Sequence, residues 1–246
     1  MAGGLRHAAS SGAPGRIESM APSVDSDSRE RWNENYRDAP GAWLEPDPFL
    51  LSAFSEYVQR MFPQGGQALD LAGGAGRNSI WLARRGWEVT LVDISNVGIE
   101  QARHNAGPDA SRIHFVVSDL EGFAAAKLAP KLALKNRSAV DAQFDLVIVF
   151  FYLDRRIVPE IVQAIRPGGL LIYKTHTSAQ ANLAGGPKDP AYLLEAGELP
   201  RLAEGLNGLH YREEIAAKAT AELVARKLSS SGSVASGPLA SGQARS

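Results

Sequence analysis

Residues 67–95 read Q-A-L-D-L-A-G-G-A-G-R-N-S-I-W-L-A-R-R-G-W-E-V-T-L-V-D-I-S, and their order predicts a strand, a glycine turn, a helix and a second strand. Ala68 to Leu71 is a short apolar run suited to a buried parallel sheet. Gly73, Gly74 and Gly76 follow, where the chain must turn sharply with no side chain in the way. Asn78 to Arg85 carries Ile80, Trp81 and Leu82 on the apolar face of a helix that Gly86 closes, and Trp87 to Val92 supplies the next strand. Asp93 stands at that strand's carboxyl end, the edge at which an open α/β sheet binds its ligands.

A carboxylate there accepts hydrogen bonds from both hydroxyls of a ribose, and bare glycine backbone lets a ligand edge reach N–H groups. Together these features describe a nucleoside site. The dinucleotide fingerprint is G-x-G-x-x-G, whereas Gly74 onward gives G-A-G-R-N-S, without the third glycine. Asp70, ahead of the glycines, suits a cofactor that carries positive charge. The stretch D-L-A-G-G-A-G-R-N resembles motif I of the class I S-adenosylmethionine-dependent methyltransferases, and its R-N pair is similar to the branch of tellurite-resistance and related thiol methyltransferases. Asp70, Leu71, Ala72, Gly74, Gly76, Arg77 and Asn78 match that pattern, and Gly73 replaces the usual cysteine.

The resemblance implies an α/β, Rossmann-like fold: a seven-stranded, mostly parallel sheet with an antiparallel last strand and helices on both faces. It also implies S-adenosylmethionine as cofactor, S-adenosylhomocysteine as product, and a cofactor site drawn from Asp70, Ala72, Gly74, Gly76, Asn78, Asp93, Ile94, Asp119, Leu120 and Phe150. Asp93 takes the ribose in that scheme. Asp119 accepts from the adenine amino group, and the backbone N–H of Leu120 meets a ring nitrogen. Asp93 and Asp119 are also residues that cap helices or sit in turns.

The chain has 246 residues, 44% of them hydrophobic, and a formal net charge of −1, so one domain with a sizeable core is expected. Near-neutral charge gives no electrostatic reason to expect nucleic acid. No run approaches the ~20 apolar residues of a membrane span. The absence of cysteine removes disulfides, thiolate metal sites and a cysteine nucleophile, and no metal is expected. Residues 1–28 and 229–246 read as disordered ends flanking a methyltransferase domain at 29–228. A cytoplasmic location is expected. The alternative is an organelle, because the leader carries Arg6, His7 and Arg16 and no acid before Glu18.

Taken in order, Arg29 to Asp38 forms a short helix with Trp32 and Tyr36 one turn apart, followed by a Pro/Gly-rich loop holding Trp43 and Leu44. By resemblance that loop folds over the cofactor as a lid; by composition alone Trp43 is equally a core plug. Phe49 to Met61 is a helix with one broad apolar face, a helix ends near Ala106, and Ile113 to Val117 is the third strand. Residues 121–143 form an Ala/Lys-rich insertion. Phe144 to Phe150, F-D-L-V-I-V-F, is a central parallel strand, and Arg156 to Arg166 a helix. R-P-G-G-L-L-I-Y-K-T-H-T covers strand five, a helix opens over 193–199, and Leu209 to Ile215 and Thr220 to Lys227 make an edge pair.

At the end of the fourth strand the branch has N-Y-L-H-R where this chain has F-Y-L-D-R. Tyr152, Leu153 and Arg155 match, which makes Tyr152 a catalytic candidate and Arg155 a substrate contact; Phe151 and Asp154 depart. The D/N-P-P-Y/F motif of amino-directed nucleic-acid methyltransferases is absent from this position. His176, just past strand five, is a candidate general base or an ordinary surface histidine, and Lys174 and His176 both depart from the family pattern. The expected reaction is in-line methyl transfer to a small soft nucleophile, a thiol or a chalcogen oxyanion such as tellurite or selenite, by a monomer or homodimer. The alternatives are an O- or N-methyltransferase of another small metabolite, or a non-catalytic domain binding S-adenosylmethionine or NAD.

Overall fold

A computed structural model describes residues 24–38, 44–120 and 144–229. Seven strands form one sheet: β1 Gln67–Leu71, β2 Glu88–Asp93, β3 Ile113–Val117, β4 Phe144–Phe150, β5 Ile165–His176, β6 Asn207–Ile215 and β7 Ala219–Arg226. Their order is β3-β2-β1-β4-β5-β7-β6. The first five strands run parallel, and β7 lies antiparallel between β5 and β6. The chain therefore begins in the middle of the sheet, winds out to β3, and returns across β1 to β4. That reversal between β1 and β4 opens a crevice at the carboxyl ends of the strands.

Side chains alternate between two cores, one on each face of the sheet. In β4, Leu146, Ile148 and Phe150 face one core while Val147 and Val149 face the other, and Leu170/Ile172 and Leu171/Tyr173 divide β5 in the same way. The first core receives Phe49, Leu50 and Phe54 from α2, Ile80 and Leu82 from α3 (Arg77–Ala83), and Ile99 and Ala102 from α4 (Asn96–Ala106). Here α2 runs from Pro48–Ala53 through a π turn at Phe54–Val58 into Gln59–Met61. The second core receives Val158 and Ile161 from α5 (Val158–Ala164) and Leu199 from α6 (Glu198–Leu202). Helices thus cover both faces, as a sheet with continuous apolar strands requires.

Several boundaries differ from the sequence-based expectation, for local reasons. The first helix, α1 (Val24–Asp38), begins ahead of Arg29. The helix expected from Arg156 starts at Val158, because Asp154 accepts from the Arg156 N–H and folds residues 155–157 into a 3-10 turn. It stops at Ala164, where Ile165 joins β5 opposite Phe144 before a register shift. Leu193 and Leu194 are not helical: the Leu194 N–H donates to His176 O (2.9 Å), and Leu194 O accepts from Ser178 (2.7 Å). The insertion at 121–143 and Trp43 lie outside the described residues.

Ile148 sits at the centre of β4, fully buried between β1 and β5. Ile148→Ala removes methyl groups from a site that cannot collapse, so chemical denaturation should show a loss of about 2–5 kcal/mol. A loss below about 1 kcal/mol would contradict this packing.

Candidate functional site

The Asp93 carboxylate joins the ends of two strands. Its Oδ2 accepts from the Gly74 N–H (2.8 Å), in the turn after β1, and its Oδ1 from the Ser95 N–H (2.8 Å), at the cap of α4. A carboxylate has about four acceptor positions, so both oxygens keep capacity for two ribose hydroxyls. The turn beside it needs its glycines: Gly74 and Gly76 have φ of +55° and +82°, and a Cβ at Gly76 would meet Ala102 Cβ at 2.8 Å. Ala72 adopts φ +55° at the end of β1.

On the β3 side, Val117 is the register partner of Asp93, and the Ser118 N–H donates to Asp93 O (2.9 Å). Half-buried Asp119 therefore stands next to Asp93 along the sheet edge, and the side chain of Leu120 is buried in the second core. The Ile94 carbonyl accepts from Arg29 Nε (3.3 Å). From α1, Asn33 accepts from Ser95 Oγ (2.7 Å), and the Tyr36 phenol lies over the glycine turn, where a Cβ at Gly74 would meet its oxygen at 1.9 Å. Burial, Asp93 and Asp70 together push that phenol far above its ordinary pKa, so it stays a neutral hydroxyl.

Asp70 is 1% exposed, under the turn, and accepts from the Ser79 hydroxyl (2.7 Å). Ser79 occupies the position where the dinucleotide fingerprint has its third glycine. The residue that departs from that fingerprint is therefore the one that holds Asp70. Burial pushes the Asp70 carboxyl up to about 7 and Asp93 up to about 6, against Arg77 and the Ser79 bond in the first case and three backbone N–H groups in the second. Two carboxyls that lose ionisation through burial at the edge of a ligand crevice fit a cationic, ribose-bearing group, whose charge offsets that desolvation. Among the described residues no group of three or more His, Asp or Glu is placed to hold a metal.

The opposite wall lies at the ends of β4 and β5. Phe151, immediately after β4, has φ +58°, and its N–H donates to Lys174 O (2.8 Å). Its ring meets Lys218 Nζ at 4.5 Å, Arg77 Cζ at 5.8 Å, Lys174 Nζ at 5.9 Å and the His176 ring at 5.1 Å. His176 is the last residue of β5 and is buried, rather than lying exposed beyond the strand, because β7 pairs along β5 as far as Thr220. Burial, Lys218 and Lys174 hold its imidazole below the ordinary pKa, and its Nδ1 has no hydrogen-bond partner among the described residues.

Two expected site residues have other work. Asn78 Oδ1 accepts from the Asp47 N–H (3.0 Å), so its side chain secures the N-terminus of α2 rather than the crevice. Arg155 is bidentate to Glu198 (2.5 and 2.9 Å) and donates to the carbonyls of Ala191 (3.0 Å) and Leu193 (2.8 Å), so its fork is filled by protein rather than by substrate. Tyr152 packs against the second core and accepts from the Tyr173 hydroxyl through its carbonyl (3.0 Å). Phe150 is buried against Phe49, and Leu44 is exposed.

Sequence reasoning missed Asp47, which accepts from the Phe49 N–H (2.9 Å) and pairs with Arg77 (3.5 Å) and Lys174 (3.1 Å). The D-P at Asp47-Pro48, a helix-cap residue followed by proline at the first helical position, was its available signal.

Because Asp70 and Asp93 bind protons more readily folded than unfolded, they make the free protein lose stability as pH rises from about 4 through 7. Asp70→Asn should raise the melting temperature at pH 8 and leave it nearly unchanged at pH 4. Equal shifts at both pH values would rule out ionisation of Asp70 as the cause.

Residues 68–169 match the family described as "Methyltransferase domain". The putative methyltransferase YqeM of Bacillus subtilis (strain 168) is 25% identical over 134 residues, covering 51% of this chain and 48% of its own, so the chain spans about half the length of that relative. Among solved structures, the N-methyltransferase NodS from Bradyrhizobium japonicum WM9, in complex with S-adenosyl-L-homocysteine, superposes with a TM-score of 0.59 at 17% identity, covering 81% of this chain and 98% of NodS. TehB from Haemophilus influenzae gives 0.58 at 17% identity, covering 81% and 66%. The matched segment runs from β1 into β5 and contains the glycine turn, Asp70, Asp93 and Asp119. Residues 68–169 are thus similar to a methyltransferase domain, and the chain has the Rossmann-like fold of the methyltransferase structures on which it superposes.

Proposed function

We propose that this protein transfers a methyl group from S-adenosylmethionine to a small soft nucleophile, a thiol or a chalcogen oxyanion. The observation that carries the cofactor reading is the Asp93 carboxylate fixed across the crevice by the Gly74 and Ser95 N–H groups, next to buried Asp70. When bound, the cofactor supplies an electrophilic methyl on a cationic sulfur. Asp93 holds the ribose, Asp119 and the Leu120 N–H orient the base, and Asp70 faces the positive charge. The Tyr36 phenol, packed over the glycine turn, excludes water from that side.

In-line displacement draws its acceleration from alignment and desolvation, and a thiol needs only to lose its proton. His176 is the side chain to take it: its imidazole is held neutral by burial and by two lysines, at the wall where the acceptor enters. The thiol or chalcogen acceptor is supported by the motif match through Arg77 and Asn78 and by the retained Tyr152-Leu153. The similarity to TehB agrees with this reading at the level of fold.

The test is to incubate the protein with S-adenosylmethionine and a panel of thiols, selenite and tellurite, following S-adenosylhomocysteine release and the methylated product by mass spectrometry. Product from thiols or chalcogen oxyanions supports the reading, and product only from amines or alcohols refutes the acceptor class. Asp93→Ala should weaken S-adenosylmethionine binding by about 2–3 kcal/mol, the scale of lost charge-assisted hydrogen bonds. Unchanged affinity in the folded variant would remove Asp93 from the site.

Binding should also depend on pH. The ligand favours the ionised forms of Asp70 and Asp93, so affinity falls as pH drops below about 6–7. Calorimetry at pH 6 in buffers of different ionisation enthalpy should show net proton release, and proton uptake would contradict the assignment.

A further inference from the structure

β6, at one edge of the sheet, is far more exposed than the strand beside it. Eight of its nine residues are exposed and His210 is half-buried, whereas its neighbour β7 is buried from Ala219 to Ala225. The opposite edge, β3, keeps Ile113 and Val116 buried. On its outer side β6 has no strand partner among the described residues, which leaves a row of backbone N–H and C=O groups open to another chain. Natural edge strands are commonly blocked by being short or by carrying lysine or proline. N-G-L-H-Y-R-E-E-I is nine residues long and has neither. A bulge between Gly208 and His210 disturbs its start, but Tyr211 to Ile215 pair regularly with Leu223 to Ala219.

The side chains of this regular stretch are complementary to themselves. Tyr211, Glu213 and Ile215 share one face of the strand, and Arg212 and Glu214 share the other. Tyr211 is 39% and Ile215 68% exposed, and neither belongs to the two cores. When a strand pairs antiparallel with its own copy about a two-fold axis, residues equidistant from the axis stand opposite each other. An axis at Arg212 or at Glu214 sets like charges face to face. An axis at Glu213 sets Arg212 opposite the Glu214 of the other copy and Tyr211 opposite its Ile215, each pair occurring twice, and no other register joins Arg212 to Glu214. The two Glu213 residues then meet at the centre. Each is already held within its own chain, accepting from the Gly197 N–H (2.7 Å) at the cap of α6 and from the Tyr211 hydroxyl.

We infer that β6 is the docking edge for a second copy of this chain, paired antiparallel about a two-fold axis at Glu213 so that one sheet runs through both protomers. The backbone supplies the pairing, and the two Arg212 to Glu214 ion pairs fix its register and reject other strands. Within one chain Arg212 already reaches Glu214 (2.9 Å) and Glu222 (3.2 Å), so its guanidinium is held on the face where the second copy's Glu214 arrives. The inference concerns the edge alone and does not depend on the methyltransferase reading.

The test is sedimentation equilibrium of the full chain over roughly 1–100 μM, where wild type should show a reversible monomer–dimer equilibrium. Ile215→Lys places an ammonium on the exposed edge and, counted twice by symmetry, should raise the dimer dissociation constant about tenfold or more. Arg84→Gln, at an exposed ion pair with Asp109 next to β3, should leave it unchanged. Arg212→Glu and Glu214→Arg should each dissociate the homodimer, because each sets like charges opposite one another. Mixing those two variants should restore a dimer, since both ion pairs re-form across the heterodimer. Ile215→Lys lies in neither core, so it keeps the test decisive even if Arg212→Glu fails to fold beside Glu222. A wild type that stays monomeric, a dimer that survives Ile215→Lys, or folded Arg212→Glu and Glu214→Arg variants that remain monomeric when mixed would overturn the inference.

Discussion

The hydrogen bond from the Gly74 N–H to the Asp93 carboxylate holds this structure's working edge together. It spans neighbouring strands, tying the turn after β1 to the end of β2 beside the backbone bond from the Gly73 N–H to Val92 O (3.2 Å). From that point a chain of polar contacts crosses the crevice. The turn opens α3, whose Ser79 holds Asp70 and whose Arg77 and Asn78 hold Asp47. Asp47 caps α2 and reaches Lys174 on β5. The ends of β1, β2 and β5 are thereby kept in one geometry by the Gly74 N–H and three side chains of α3, together with one capping aspartate.

The two walls of the crevice carry opposite sign. Asp70 and Asp93 lie on the β1–β2 side, buried enough that their carboxyls resist ionisation. Arg77, Lys174 and Lys218 lie around Phe151 on the β4–β5 side. Arg77 belongs to both, lowering the Asp70 pKa while contributing to the cation cluster. A cationic donor set against the acids would relieve the desolvation cost that burial imposes on Asp70 and Asp93.

The sheet was legible because its strands are extreme in composition. F-D-L-V-I-V-F has no alternation, and the matching strand, Phe144–Phe150, is buried along its whole length. The glycine turn and Asp93 were legible because backbone geometry limits what those positions can be. What failed was the carrying over of polar side chains. Asn78 and Arg155 match a family pattern, yet both bond to protein, and a motif letter does not reveal whether an amide or guanidinium faces ligand or packing. His176 reads as a surface residue until β7 is laid along β5. Phe151 and Lys174 were noted only as departures, and Lys218 carries no local signal, since its position depends on a turn between two edge strands. Helix starts at Arg156 and Leu193 were misplaced because local hydrogen bonds, one to Asp154 and two in the Thr177–Leu194 bridge, overrode apolar spacing.

The central claim is that Asp93 and the turn at Gly74 form a nucleoside cradle for a sulfonium cofactor. A crystal structure of the complex with S-adenosylhomocysteine tests it most directly. The account predicts both ribose hydroxyls on the Asp93 carboxylate, the adenine beside Asp119, and the sulfur pointing past the glycine turn toward Phe151. A ribose bound elsewhere, or a sulfur directed away from the β4–β5 wall, would contradict it.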